Sequence, residues 1–143
     1  MNALQLEDAR EQLQRLRQNL AGLPRRPKVL AVEDDPHDVE DLKKKLRPFC
    51  VSLTCCRTSL EAIEKLKEEN YDLVFLDLRL DGGSGLDVLT FAESEKIESF
   101  FIVLTGMDDS DPMIQEALKR GAVHATRKPI SEAYLRLTFG TLS

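Results

Sequence analysis

The chain carries two hydrophobic rhythms. Between residues 3 and 23, Leu6, Ala9, Leu13, Leu16, Leu20 and Leu23 recur at alternating spacings of three and four. Such spacing keeps them on one helical face and fills the a and d positions of a heptad. Gly22, Pro24 and Pro27 then punctuate the C-terminal end. Two readings of this helix stay open. It is either an amphipathic helix lying on its own domain or a dimerising, signal-transmitting coil; a frayed tail is the minor alternative.

From residue 28 the rhythm changes. Short apolar runs alternate with stretches of helical period. Val29–Val32 predicts a first strand, followed by a helix over Asp38–Leu46 with Val39, Leu42 and Leu46 on one face and Pro48 as its stop. Val51–Cys55 predicts a second strand. Thr58 caps the next helix, with Glu61 at the capping-box position and Leu60, Ile63 and Leu66 turned inward. Leu73–Leu76 predicts a third strand and Ser84–Phe91 a helix. Phe100–Leu104 is the fourth run. Pro112 opens a helix carrying Met113, Ile114, Ala117 and Leu118, which Gly121 closes. Val123–Thr126 and Ser131–Thr138 give the last strand and the last helix.

These are five β-α repeats. The strands are too apolar for one wet face, so helices must cover both sides of a parallel sheet. The fold class is therefore α/β, an open doubly wound five-stranded parallel sheet with an N-terminal helical extension. Residues 1–27 form the extension and its Pro-rich linker, and residues 28–143 the domain. In such sheets the working site lies beyond the carboxyl ends of the strands.

Composition narrows the field. The 143 residues are 42% hydrophobic and 31% charged, which is ordinary for one globular core. No apolar run is long enough to span a bilayer. Glu7, Asp8 and Glu11 sit where a signal peptide would need an apolar core. The net charge of −5 is uneven: residues 1–28 carry +3 and residues 29–143 carry −8. That acidic body does not suit a nucleic-acid backbone. Cys50, Cys55 and Cys56 match neither a disulfide nor a zinc framework. The vicinal pair Cys55–Cys56 reads as packing, with Cys55 ending a buried strand, rather than as a redox couple. The cytoplasm is the expected compartment, and no membrane association is expected.

The residues that follow each apolar run are chemically coherent. Glu33, Asp34 and Asp35 follow the first, Asp77 the third, Thr105 the fourth and Lys128–Pro129 the fifth. Taken singly, an acid after a strand is usually a helix cap, and Lys-Pro or Thr-Gly is a turn. Gathered at one rim, the carboxylates repel unless a positive charge offsets them. A hard divalent ion and Lys128 supply that charge. With Thr105 as a hydroxyl and Asp77 as nucleophile, the set suits phosphoryl transfer through an aspartyl phosphate.

The chain resembles the receiver domain of two-component phosphorelay response regulators over roughly residues 28–138. The motifs are Val-Glu-Asp-Asp-Pro at 32–36, Leu-Val-Phe-Leu-Asp at 73–77 with Gly82 and Gly85 beyond it, Val-Leu-Thr-Gly at 103–106, Gly-Ala at 121–122 and Lys-Pro at 128–129. The resemblance implies a flavodoxin-like (βα)5 fold in a cytoplasmic, bacterial signalling protein. It makes Asp77 the phospho-acceptor, and Lys128 the partner of a phosphate oxygen with a cis bond to Pro129. It makes Thr105 the switch hydroxyl. Mg²⁺, or Mn²⁺ in its place, would be held by Asp34 and Asp77 directly, by Glu33 through water and by the carbonyl of Arg79. Asp35 is a neighbour rather than a ligand. The implied donor is a histidine kinase or histidine phosphotransfer protein. The domain assists its own phosphorylation and dephosphorylation and has no separate substrate. Phosphorylation would draw on the loop after the fourth strand and bias the face of the fourth helix and fifth strand.

Two positions depart from the family pattern. Receivers commonly carry an aromatic three residues before the lysine, where this chain has Ala125, preceded by His124. A proline is frequent four residues past the acceptor, where this chain has Asp81. Two alternatives compete with a self-standing receiver. One is a receiver fragment of a hybrid kinase, or of a regulator whose output domain is missing; the brief last helix and the short tail Phe139–Ser143 suit it. The other is a small Asp-based phosphohydrolase, which would want a second Asp where Arg79 stands. A homodimer through the heptad helix remains open.

Overall fold

The computed structural model describes residues 3–81, 83–106 and 110–140, with side chains from Arg10 onward. Gly82 and the heptad side chains of Leu6 and Ala9 lie outside what it describes. Among the described residues, seven strands and six α-helices follow in order. They are α1 (Ala3–Ala21), β1 (Lys28–Val32), α2 (Pro36–Leu46), β2 (Ser52–Cys56), α3 (Ser59–Glu68), β3 (Leu73–Asp77), β4 (Arg79–Leu80), β5 (Gly83–Ser84), α4 (Gly85–Ser94), β6 (Phe100–Thr105), α5 (Pro112–Lys119), β7 (His124–Arg127) and α6 (Glu132–Phe139). Strands β2-β1-β3-β6-β7 form one parallel sheet in that order. This is the doubly wound, flavodoxin-like (βα)5 arrangement with an N-terminal helix.

The switch in strand order falls between β1 and β3, so their carboxyl ends flank the crevice. All five residues of β3 are buried, as its uninterrupted apolar run requires. One face of the sheet packs Leu30, Val74 and Val103 under α3, α4 and α5. The other packs Val29, Ala31, Leu73, Phe75 and Ile102 under α2, α6 and α1.

Local chemistry sets the boundaries. Asp35 accepts from the backbone N–H groups of His37 and Asp38, and Pro36 takes the first helical position, so α2 starts two residues before the periodicity predicts. Thr58 caps α3 as expected, accepting from Glu61 N at 3.1 Å. Leu60 is a correction: it is 70% exposed. The helix begins at Ser59, so its inward stripe is Ser59, Ala62 and Leu66, and Leu60 stands about 100° away from that stripe's first residue. On β2 the buried thiol is Cys56 and Cys55 is exposed, the reverse of the expectation for Cys55, because the strand runs one residue later. Burial pushes the Cys56 thiol up to about 12, far from a reactive thiolate.

Helix α1 lies on its own domain. Leu16 and Leu20 are buried in the cluster that holds Val29, Leu73 and Leu135. The reason lies at the other end of the chain. Helix α6 has eight residues and so spans about 12 Å, less than the roughly 16 Å of a five-residue strand. Helix α1 packs beside α6 and adds to the cover on that face of the sheet. Within the linker Arg25 Nη1 donates to Asp72 Oδ2 at 2.7 Å, and at the start of β1 the Lys28 N–H donates to the same oxygen.

Candidate functional site

The expected strand-end residues meet at one rim. Asp77 is the last residue of β3 and Glu33 follows β1; both are buried, with 6% and 4% of their surfaces exposed. Thr105 ends β6 one step past Leu104, which pairs with Asp77 in the register. Lys128 follows β7. Its N–H donates to Thr105 O at 2.8 Å, and its bond to Pro129 is cis.

Lys128 is the hub. Its Nζ donates to Asp77 Oδ2 at 3.1 Å, to Glu33 Oε2 at 3.1 Å and to Asp38 Oδ2 at 3.1 Å. Asp38 is a partner the sequence reading missed. Its only signal was an acid in the first turn of the helix that follows the acidic strand end. Burial alone would lower the Lys128 ammonium, but the carboxylates of Asp77, Asp38 and Glu33 outweigh it and hold it above the usual lysine range. Glu33 moves the other way for an acid. Burial, then the adjoining Asp77 carboxylate, push it up to about 8 against the opposing pull of Lys128.

Backbone contacts fix the acceptor. Asp77 Oδ1 accepts from Arg79 N at 3.1 Å. Gly85 brings the following loop against the strand end, where its N–H donates to Leu78 O at 3.0 Å. A Cβ at Gly85 would run into the Asp77 carbonyl oxygen and crowd Leu78 Cα at 3.0 Å. The short β4–β5 hairpin, unforeseen because each strand has two residues, carries Arg79 and Asp81 over the crevice. Arg79 Nη2 pairs with Asp111 Oδ2 at 3.2 Å, and Asp111 in turn caps α5. Asp81 N donates to Asp34 Oδ2 at 2.8 Å. It is thus the backbone of Asp81, not its carboxylate, that is tied to the site.

One carboxylate oxygen each from Glu33, Asp34 and Asp77 lies within 4.8 Å of the others. Hard oxygen donors in that number fit a magnesium ion, which keeps several waters of its own. Asp35 is not among them, since its side chain caps α2. His124 is half-buried on β7, and its Nδ1 lies 2.9 Å from the Tyr134 hydroxyl with the rings stacked. It faces α6, whereas Ala125 packs with the opposite core.

The model of the response regulator receiver domain matches residues 29–139. The chain belongs to that family. The receiver is 34% identical over 111 residues to the response regulator protein PilR of Pseudomonas aeruginosa, covering 78% of this chain and 25% of that protein. It is 32% identical to a Bacillus subtilis protein named probable C4-dicarboxylate response regulator DctR, covering 76% of this chain and 49% of that protein. The chain therefore spans a quarter to a half of the length of these relatives. Among solved structures, the signal receiver domain of an HD domain-containing protein from Pseudomonas fluorescens superposes with a TM-score of 0.72 at 26% identity, covering 80% and 91% of the two chains. The receiver domain of a sensor histidine kinase from Pseudomonas aeruginosa, with magnesium coordinated in its active-site cleft, gives 0.71 at 21% identity, covering 78% and 93%, a likeness of fold.

Proposed function

We propose that Asp77 accepts a phosphoryl group from the phosphohistidine of a histidine kinase or histidine phosphotransfer protein. The observation that carries this reading is the Asp77–Lys128 contact of 3.1 Å beside the Glu33–Asp34–Asp77 cluster. A carboxylate oxygen of Asp77 attacks phosphorus. The P–N bond breaks, and the imidazole leaves with the bonding pair and takes up a proton. Lys128 neutralises a phosphoryl oxygen, and Thr105 offers its hydroxyl. Mg²⁺, or Mn²⁺, held by Glu33, Asp34, Asp77 and the Arg79 carbonyl, would supply the remaining positive charge. Hydrolysis of the acyl phosphate resets the domain.

The output is a change of protein contact at the α5–β7 face, driven by new charge beside Thr105. Ala125 cannot report that change as an aromatic would. With its acidic body, the domain acts on proteins rather than nucleic acid. Among the described residues no helix is long and apolar enough to cross a membrane, and we place the protein in the cytoplasm. Leu16 and Leu20 are engaged within their own domain, which favours a monomer over a dimer through α1.

The test is intact mass after incubation with Mg²⁺ and acetyl phosphate, beside sedimentation. We expect one phosphoryl group on the native chain and none on Asp77→Asn, at monomer mass. No adduct on the native chain, or an adduct surviving in Asp77→Asn, overturns the acceptor assignment.

A further inference from the structure

Three carboxylates surround the three N–H bonds of Lys128 Nζ. Two of them, Glu33 and Asp77, also belong to the cluster that fits a divalent ion. Asp38 does not. It sits in the first turn of α2, 36% exposed at its side chain and 3.1 Å from the ammonium. The same helix grips the lysine loop a second time, through Lys45 Nζ, which donates to Ile130 O at 2.6 Å and pairs with Asp41 at 2.9 Å.

We propose that Asp38 is a positioning residue for Lys128, a counter-ion that holds the ammonium back in the resting domain and so favours metal binding over phosphoryl capture. The inference rests on the acceptor reading of Asp77. With Asp38 in place, Lys128 divides its charge among three acids. Glu33 and Asp77 are then less fully neutralised and attract a cation more strongly. The same sharing weakens the grip of Lys128 on a phosphoryl oxygen, and the Asp38 charge repels an incoming anion. Removing that one charge must therefore move two affinities in opposite directions. A purely structural role, such as support of the start of α2, would weaken both.

The experiment is calorimetric titration of the full chain, first with Mg²⁺ alone and then with beryllofluoride at saturating Mg²⁺. For Asp38→Asn we expect Mg²⁺ affinity to fall about 3–10-fold and beryllofluoride affinity to rise by about the same factor, the scale of one partly screened charge pair. Asp38→Ser, which removes the charge with a different side chain, must give the same crossing. Asp38→Glu must restore both constants towards native. Glu40→Gln removes an exposed acid of the same helix, paired with Lys43 instead, and must leave both constants at native values. Constants unchanged in Asp38→Asn and Asp38→Ser, or lowered together, overturn the role of Asp38 alone. A native chain that binds neither probe overturns the acceptor reading and this inference with it.

Discussion

The N–H of Asp81 donates to Asp34 Oδ2 across 2.8 Å, a bond that a proline at position 81 could not make. It turns a departure from the family pattern into a device that orients a metal-binding carboxylate. Asp81→Pro removes the donor and should weaken Mg²⁺ binding about 2–10-fold, the scale of one ordinary net hydrogen bond. Asp81→Ala keeps the N–H and loses the same side-chain charge, so it should bind Mg²⁺ more tightly than Asp81→Pro. Calorimetric titration with Mg²⁺ checks this. Equal affinities for the two variants would show that the backbone bond does not orient Asp34.

Much of the site was legible because apolar strands end abruptly at the residue that does chemistry. Glu33, Asp77 and Thr105 each close or directly follow a buried run, Lys128 follows the half-buried β7, and parallel strands bring such ends to one rim. Asp38 was not legible in this way. Its reach to Lys128 depends on where α2 starts, and that was set by the Asp35 cap and Pro36 rather than by the apolar period. Leu60 failed for a different reason: the start of α3 was foreseen, but six residues put Leu60 about 120° round the helix from the buried Leu66, which turns it to solvent. The heptad identified the buried face of α1 but not its partner. That partner is α6 and the sheet face beneath it, far away in sequence.

The start of α4 leaves no room for a side chain at Gly85, because a Cβ there meets backbone atoms of Asp77 and Leu78. Backbone cannot yield as a flexible side chain can. Gly85→Ala should destabilise the domain by about 1–3 kcal/mol, as overpacking does, and should slow phosphorylation by shifting the acceptor strand end. Urea unfolding and the rate of mass gain with acetyl phosphate measure the two effects. Native stability in this variant would mean that the loop adjusts freely.

Helix α1 should behave as part of the core. Leu16 is fully buried, so Leu16→Ala should cost about 2–5 kcal/mol, the range for emptying such a site. The exposed neighbour Arg15 lies off that face, and Arg15→Ala should cost less than about 0.5 kcal/mol. Urea denaturation compares them. Equal midpoints for Leu16→Ala and native would detach α1 from the fold.

Glu33 should make the metal-free domain sensitive to pH. Its folded carboxyl is pushed from 4.5 up to about 8, first by burial and then by Asp77. The folded state thus binds a proton that the unfolded chain has released, and stability falls as pH rises between those values. The loss reaches at most about 1.4 kcal/mol per pH unit for one proton. Lys128, held above the usual lysine range by its carboxylate partners, contributes with the same sign but only in alkaline solution. Magnesium requires the ionised Glu33, so protons compete with it. Its apparent affinity should climb with pH up to about 8, and its binding should release a proton. Urea unfolding between pH 5 and 8 without metal, together with Mg²⁺ calorimetry in buffers of different ionisation heat, measures both effects. Glu33→Gln should flatten the stability slope and abolish the proton release. Parallel slopes for native and Glu33→Gln would place the titration elsewhere.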